Sequence, residues 1–218
     1  MPSTPVTVLL PCLNEAESLP AVLAGIPEGY QVMVVDNNST DDTARVAREY
    51  GAEVVYEARP GYGAAVHAGV VAADGAVVAV LDADGSLDPR AVPALVHELE
   101  LGADLVVGRR RAVPGLRWPW HARAGTAVVS WRLRSKFALP VHDIAPMRVS
   151  RRDALLSLGI VDRRSGYPVE LLVRAARAGW KVVERDVTYG PRIGGVSKVS
   201  GSVRGSAVAA VDFWRRIR

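Results

Sequence analysis

The chain has 218 residues, 49% of them hydrophobic, and carries a formal net charge of +4. That length and apolar content suit one domain that buries roughly 70% of its unfolded surface. The single cysteine, Cys12, excludes an internal disulfide and suits a reducing compartment, and no apolar stretch approaches the roughly 20 residues that a membrane span needs.

Met1 to Pro5 is polar and punctuated by proline, unlike a secretory signal, so the expected location is the cytoplasm, with peripheral contact at the membrane's inner face left open. Val6–Leu10 reads as the first strand, and Glu15–Ile26 as a helix that Asn14 caps. Val32–Val35 reads as a strand, and Asp41–Tyr50 as a helix with Ser39 and Thr40 as capping candidates. Glu53–Tyr56 follows as a strand and Gly63–Ala73 as an Ala- and Val-rich helix. Val77–Leu81, short, Val-rich and uncharged, reads as a buried strand of a parallel sheet. Pro89–Leu101 is a helix with proline at its start, and Leu105–Val107 a strand. Strands alternating with helices of this length make βαβ units. The expected fold is therefore α/β, a Rossmann-like, mostly parallel central sheet flanked by helices.

After Gly108 the pattern changes. Arg109–His121, with Pro114, Gly115 and Pro119, reads as a loop, and Thr126–Phe137 as a helix. Asp153–Leu158 and Val169–Ala178 are expected as short helices, Lys181–Val187 as a strand, Pro191–Gly201 as a Gly-rich loop and Val203–Ile217 as a final helix. No acidic residue stands between Asp104 and Asp143. The stretch instead holds Arg109, Arg110, Arg111, Arg117, Arg123, Arg132, Arg134 and Lys136, with Trp118, Trp120 and Trp131 among them. Such asymmetry points to an anionic partner. Tryptophan at headgroup level with arginine on anionic groups fits a phosphate at a membrane surface. Stacking on nucleic-acid bases is the competing reading, and the acidic residues of the first half argue against it.

Those acids fall at strand ends, where open α/β sheets place their ligands. Pro11-Cys12-Leu13-Asn14-Glu15 leaves the first strand, Asp36-Asn37-Asn38-Ser39-Thr40-Asp41 the second, and Asp82-Ala83-Asp84 the fourth. Two carboxylates two residues apart can share a hard divalent cation that also contacts substrate phosphates. An ordinary pair of turn aspartates has the same spacing. Gly61-Tyr62-Gly63 is a weak match to a dinucleotide fingerprint, which belongs after the first strand. His67 and His97 read as plain helix residues, and none of the four histidines has metal-ligand spacing.

In this order, the motifs at 11–15, 35–41, 61–63 and 82–84 resemble the nucleotide-sugar half of inverting family-2 glycosyltransferases with a GT-A fold. Gly108-Arg109, Asp143 to Arg148, Gly166-Tyr167-Pro168-Val169-Glu170 and Gly194-Gly195-Val196-Ser197-Lys198 resemble the branch of dolichol-phosphate mannose or glucose synthases. The resemblance covers nearly the whole chain. It implies one GT-A domain with a donor half, 1–108, and an acceptor half, 109–218, taking a UDP- or GDP-linked sugar and a polyprenyl-phosphate-like acceptor. Pro11, Leu13, Glu15 and Asp36 would bind the nucleoside, with Asp36 on the base and Glu15 on the ribose. Asp82 and Asp84 would hold Mg²⁺ or Mn²⁺ against the diphosphate. Arg109 and Arg123 would face the acceptor phosphate, and Arg192 and Lys198 would close over the diphosphate. The segment Asp143-Ile144-Ala145-Pro146-Met147-Arg148 departs from the Ser-Gly-Phe-Arg-like stretch usual in that branch, which leaves the sugar and the acceptor open. With a phosphate acceptor no base is needed, whereas a hydroxyl acceptor would make Asp143 the candidate base. A third possibility is a catalytically idle nucleotide-sugar-binding homologue.

Overall fold

The computed structural model describes residues 4–116, 119–144 and 146–194. Seven strands form one sheet: β1 (Val6–Cys12), β2 (Gln31–Asp36), β3 (Glu53–Tyr56), β4 (Val77–Val80), β5 (Leu105–Ala112), β6 (Met147–Arg151) and β7 (Val182–Tyr189). Their order is β3-β2-β1-β4-β6-β5-β7. β6 runs antiparallel to both of its neighbours, and every other pairing is parallel. Six strands therefore send their carboxyl ends to the same edge.

Alternation along each strand serves two cores. Val8 and Leu10 of β1, Val34 of β2 and Ala79 of β4 face one side. They pack on α1 (Leu19–Gly25), α2 (Thr43–Glu49) and α4 (Val92–Glu100), which follows a 3₁₀ turn at Pro89–Ala91. Leu9, Met33, Val35, Val78 and Val80 face the other side. There they meet α3 (Tyr62–Ala72), α5 (Trp120–Phe137), α6 (Arg152–Ser157) and α7 (Tyr167–Arg177). With both faces covered, the central strands read as continuous apolar runs instead of polar–apolar alternation. Gly69 lets α3 lie close to the sheet: a Cβ there would stand 2.8 Å from Val35 Cγ2.

The α/β architecture stands as the sequence implied, with local corrections. α1 starts at Leu19 with Ser18 in the capping position, not after Asn14. Asn14 itself has φ +55° and belongs to a turn. α2 starts at Thr43 with Asp42 before it, so Ser39 and Thr40 are not its caps. The expected loop after Gly108 is largely regular. β5 runs on through Ala112, because residues 105–112 pair along their whole length with β7, and α5 begins at Trp120. The sequence reading missed β6 altogether. The expected final helix, 203–217, lies outside the described residues.

Candidate active site

The carboxyl ends of β1 and β2 are laced together. The Asn14 amide donates to Ser39 Oγ at 2.9 Å, and the Thr40 amide donates back to Asn14 Oδ1 at 2.7 Å. The Glu15 amide donates to Thr43 Oγ1 at 2.9 Å and the Ala16 amide to Asp41 Oδ2 at 3.1 Å. The side chains expected to cap helices are thus spent on fixing one loop to the other. Asp36 is buried at 5% exposure and accepts the Ser39 amide at 3.1 Å; Glu15, at 8%, lies across from it on the β1 loop. Pro11 and Leu13 are half-buried beside them. Ser18 Oγ is 3.1 Å from Glu15 Oε2 and 2.8 Å from the Ala83 carbonyl, tying this pocket to the end of β4.

Asp82 and Asp84 occupy that end. Asp84 is buried, its Oδ1 accepts from the Ser86 amide at 2.9 Å and the Ser86 hydroxyl at 2.6 Å, and its Oδ2 pairs with Arg192 at 2.7 Å. The strand of loop that carries Arg192 is seated by the Ile193 amide on the Asp84 carbonyl and the Gly190 amide on the Ser86 carbonyl. Asp82 Oδ1 accepts from the Tyr62 hydroxyl at 3.2 Å. Burial, and then the Asp84 carboxylate, push the Asp82 carboxyl up to about 6. Behind Tyr62 stands Arg148 of β6, 3% exposed, with one terminal nitrogen on the Tyr62 hydroxyl and its Nε and Nη1 without partners among the described residues. Sequence reasoning missed Tyr62 and Arg148. The alternation of Met147 and Val149 with Arg148 and Ser150 was the available signal for their strand.

The start of α3 is closed to phosphate. Its Gly63 and Ala64 amides donate to the Arg164 and Arg163 carbonyls at 3.1 and 2.9 Å. Gly61 has φ +139°, and a Cβ there would stand 2.2 Å from the Arg163 carbonyl oxygen. The Gly-Tyr-Gly turn is therefore a packing device, and the dinucleotide reading fails because the helix's free N–H groups are already used.

Across β6, a groove of about 770 Å³ runs between the end of β5, the first half of α5 and the turn at 142–143. It is large enough for a small-molecule substrate. Arg109 and Arg123 both line it, although they come from a strand and a helix. Neither makes an ion pair among the described residues, whereas Arg110 pairs with Asp143 and Arg111 with Asp186. Asp143 is 2% exposed, and its oxygens accept from the Arg110 amide at 2.9 Å, from Arg110 Nε at 2.8 Å and Nη2 at 2.6 Å, and from the Ile144 amide at 2.7 Å. Trp120 stands at the mouth, 78% exposed. Lys198 lies outside the described residues.

The model of glycosyl transferase family 2 matches residues 7–158. The chain is 72% identical over 212 residues, 97% of each sequence, to an uncharacterized glycosyltransferase of Mycobacterium tuberculosis. It is 34% identical to an undecaprenyl-phosphate mannosyltransferase of Micrococcus luteus, over 96% of this chain and 93% of that one. Among solved structures, glucosyl-3-phosphoglycerate synthase from M. tuberculosis, in complex with Mn²⁺, UDP and glucosyl-3-phosphoglycerate, superposes with a TM-score of 0.77 at 25% identity, over 99% of this chain and 80% of that one. A sheet of this order with acids at the ends of β1, β2 and β4, together with that family match, makes the chain a family-2 glycosyltransferase of GT-A fold.

Proposed function

We propose that this enzyme transfers a sugar, with inversion, from a UDP- or GDP-linked donor to the phosphate of a polyprenyl-phosphate acceptor, aided by Mg²⁺ or Mn²⁺. The observation that carries the acceptor is the groove in which Arg109 and Arg123 have no ion pair among the described residues while the neighbouring arginines are paired. The exposed Trp120 beside it suits a lipid headgroup layer, and the Micrococcus relative is named for such an acceptor.

The donor side follows from the laced loops. Asp36 and Glu15 are held rigidly enough to accept hydrogen bonds from base and ribose, with Pro11 and Leu13 as apolar walls. Asp82 and Asp84 fit a divalent cation, because two crowded acids, one of them with a raised pKa, are relieved by positive charge between them. No cluster of three candidate ligands exists among the described residues, so diphosphate oxygens and water would complete the shell. Asp82 and Asp84 would hold a cation that would neutralise charge on the departing diphosphate; Arg192, beside Asp84, adds fixed charge, and Lys198 is assigned the same role.

In the reaction an acceptor phosphate oxygen bonds to the anomeric carbon as the bond to the diphosphate oxygen breaks. A phosphate monoester has a second pKa of about 6, so the nucleophile needs no base. Asp143, with its oxygens committed to Arg110 and Ile144, then serves to hold Arg110 and the groove wall. A small metabolite that accepts the sugar through a hydroxyl, with Asp143 as the candidate base, is the second reading, favoured by the solved neighbour's glucosyl-3-phosphoglycerate.

Transfer assays with farnesyl phosphate and 3-phosphoglycerate as alternative acceptors test the proposal. Arg109→Ala and Arg123→Ala are each expected to weaken use of the acceptor about tenfold or more, the worth of one charge-assisted hydrogen bond, and to leave UDP or GDP binding unchanged. Normal transfer to farnesyl phosphate by both variants, or glycosylation of unphosphorylated hydroxyl acceptors alone, would overturn it.

A further inference from the structure

Among the described residues His142 is the one histidine lining the groove, and the chemistry above leaves it without a role. It sits in the turn after Val141, and Glu184 of β7 holds it twice over. Glu184 Oε1 accepts from the His142 amide and, at 3.2 Å, from the Asp143 amide, while Oε2 lies 2.8 Å from His142 Nδ1. The Glu184 side chain is 9% exposed, so this clamp is sheltered from water; the His142 side chain is 46% exposed into the groove. With Nδ1 turned to the carboxylate, the ring presents Nε2, which has no partner among the described residues.

The other charged groups around the groove divide cleanly. Asp143 is neutralised by Arg110 and Asp186 by Arg111, while arginines 109 and 123, without an ion pair among the described residues, line the same groove as His142. The imidazolium form of such a ring donates from both nitrogens, Nδ1–H to Glu184 and Nε2–H into the groove. Two guanidinium groups and a ring N–H donor around one groove match the oxygens of a phosphate monoester.

We infer that His142, clamped by Glu184, is a third ligand of the acceptor's phosphate, donating Nε2–H alongside Arg109 and Arg123. The inference rests on the reading of a phosphate acceptor in this groove, and adds to its two arginines a third donor held from a separate turn. Farnesyl phosphate would present that group as a lipid headgroup and 3-phosphoglycerate as a free metabolite.

Calorimetric titration of the whole protein with each of these two probes provides the test, using wild type, His142→Gln, Glu184→Gln and Arg123→Ala. His142→Gln leaves Glu184 its two backbone hydrogen bonds, so the turn stays formed. Its affinity for the phosphate probe is expected to fall about tenfold, as for other charge-assisted hydrogen bonds, with UDP or GDP affinity unchanged. Glu184→Gln keeps an oxygen for the backbone amides and is expected to weaken the probe less. In ¹⁵N-labelled wild type, the His142 Nε2 resonance is expected to move on adding the probe, a response that a merely structural histidine would not give. The same loss seen with 3-phosphoglycerate in preference to farnesyl phosphate also supports the role, and assigns the phosphate to a metabolite. Unchanged probe affinity in His142→Gln, with Arg123→Ala impaired, overturns the inference and leaves the phosphate reading standing. Binding of neither probe to wild type overturns both. Intact probe binding with lost transfer to a hydroxyl acceptor would make His142 a base, and likewise overturns it.

Discussion

At the scale of single residues, the end of β4 crowds two carboxylates together, the pair proposed above to hold the cation. Asp82 sits against Asp84 and beneath Tyr62, and its carboxyl is pushed from 3.8 up to about 6. The folded chain therefore holds that proton more tightly than the unfolded chain. The sign follows from linkage: the contribution of Asp82 to stability is largest in acid and declines as the pH rises from 3.8 through about 6. Urea denaturation of the metal-free protein is expected to show this decline in wild type and a flatter profile in Asp82→Asn. On the proposed metal site, Mn²⁺ binds the ionised pair and opposes the decline, so its stabilisation of wild type is expected to grow from pH 5 to pH 7 and to be lost in Asp84→Asn. Equal Mn²⁺ stabilisation at both pH values would remove the pair from the metal site.

At the scale of elements, positions are set by contacts between segments that are distant in sequence. The turn before α3 is held by the carbonyls of Arg163 and Arg164, and also by the Gly61 amide donating to Asn37 Oδ1 at 2.8 Å. One glycine thus fixes α3, the 160–166 segment and the β2 loop against one another. Gly61→Ala combines a positive φ with a clash against backbone that cannot rotate away. It is expected to cost about 1–3 kcal/mol from the backbone conformation alone, to lower the melting temperature, and to weaken nucleotide binding as Asn37 shifts beside Asp36. A melting temperature equal to wild type would show that the segment yields freely. β5 teaches the converse lesson. Three consecutive arginines look unlike a strand, yet the ladder to β7 carries them, because Asp143 and Asp186 neutralise two of the three charges.

At the scale of the molecule, exposed apolar side chains and unpaired arginines of the described residues meet along α5 and the groove beside it. No helix among the described residues is long and apolar enough to cross a membrane. α5, in contrast, exposes Trp120, Val128 and Trp131 while burying only Ser130 and Leu133, with Arg123 on its first half. A helix so lightly covered suits lying along an anionic surface. Binding to vesicles rich in anionic lipid is expected at low salt, to fall as salt screens the arginines, and to weaken when Trp120 and Trp131 are both replaced by serine. Salt-independent binding, or none at all, would separate the groove from any bilayer and favour a dissolved acceptor.

How much of this was legible beforehand depended on the range of the interactions. The alternation of strands and helices up to Gly108, and the gathering of Asp36, Asp82 and Asp84 at one sheet edge, follow from local periodicity and from parallel βαβ connection, so the sequence alone determined them. Helix starts were misread because Asn14, Ser39 and Asp41 have the chemistry of caps but bond across loops. Tertiary structure alone inserted β6 between β4 and β5, turned it antiparallel and brought Arg148 beneath Tyr62, 86 residues away. It alone spent Asp143 on Arg110, 33 residues away, and set Arg109 and Arg123, without an ion pair among the described residues, in one groove with His142. A residue's type fixes what it can bond; only the packed fold decides which partner reaches it first, and so which charges remain for a substrate.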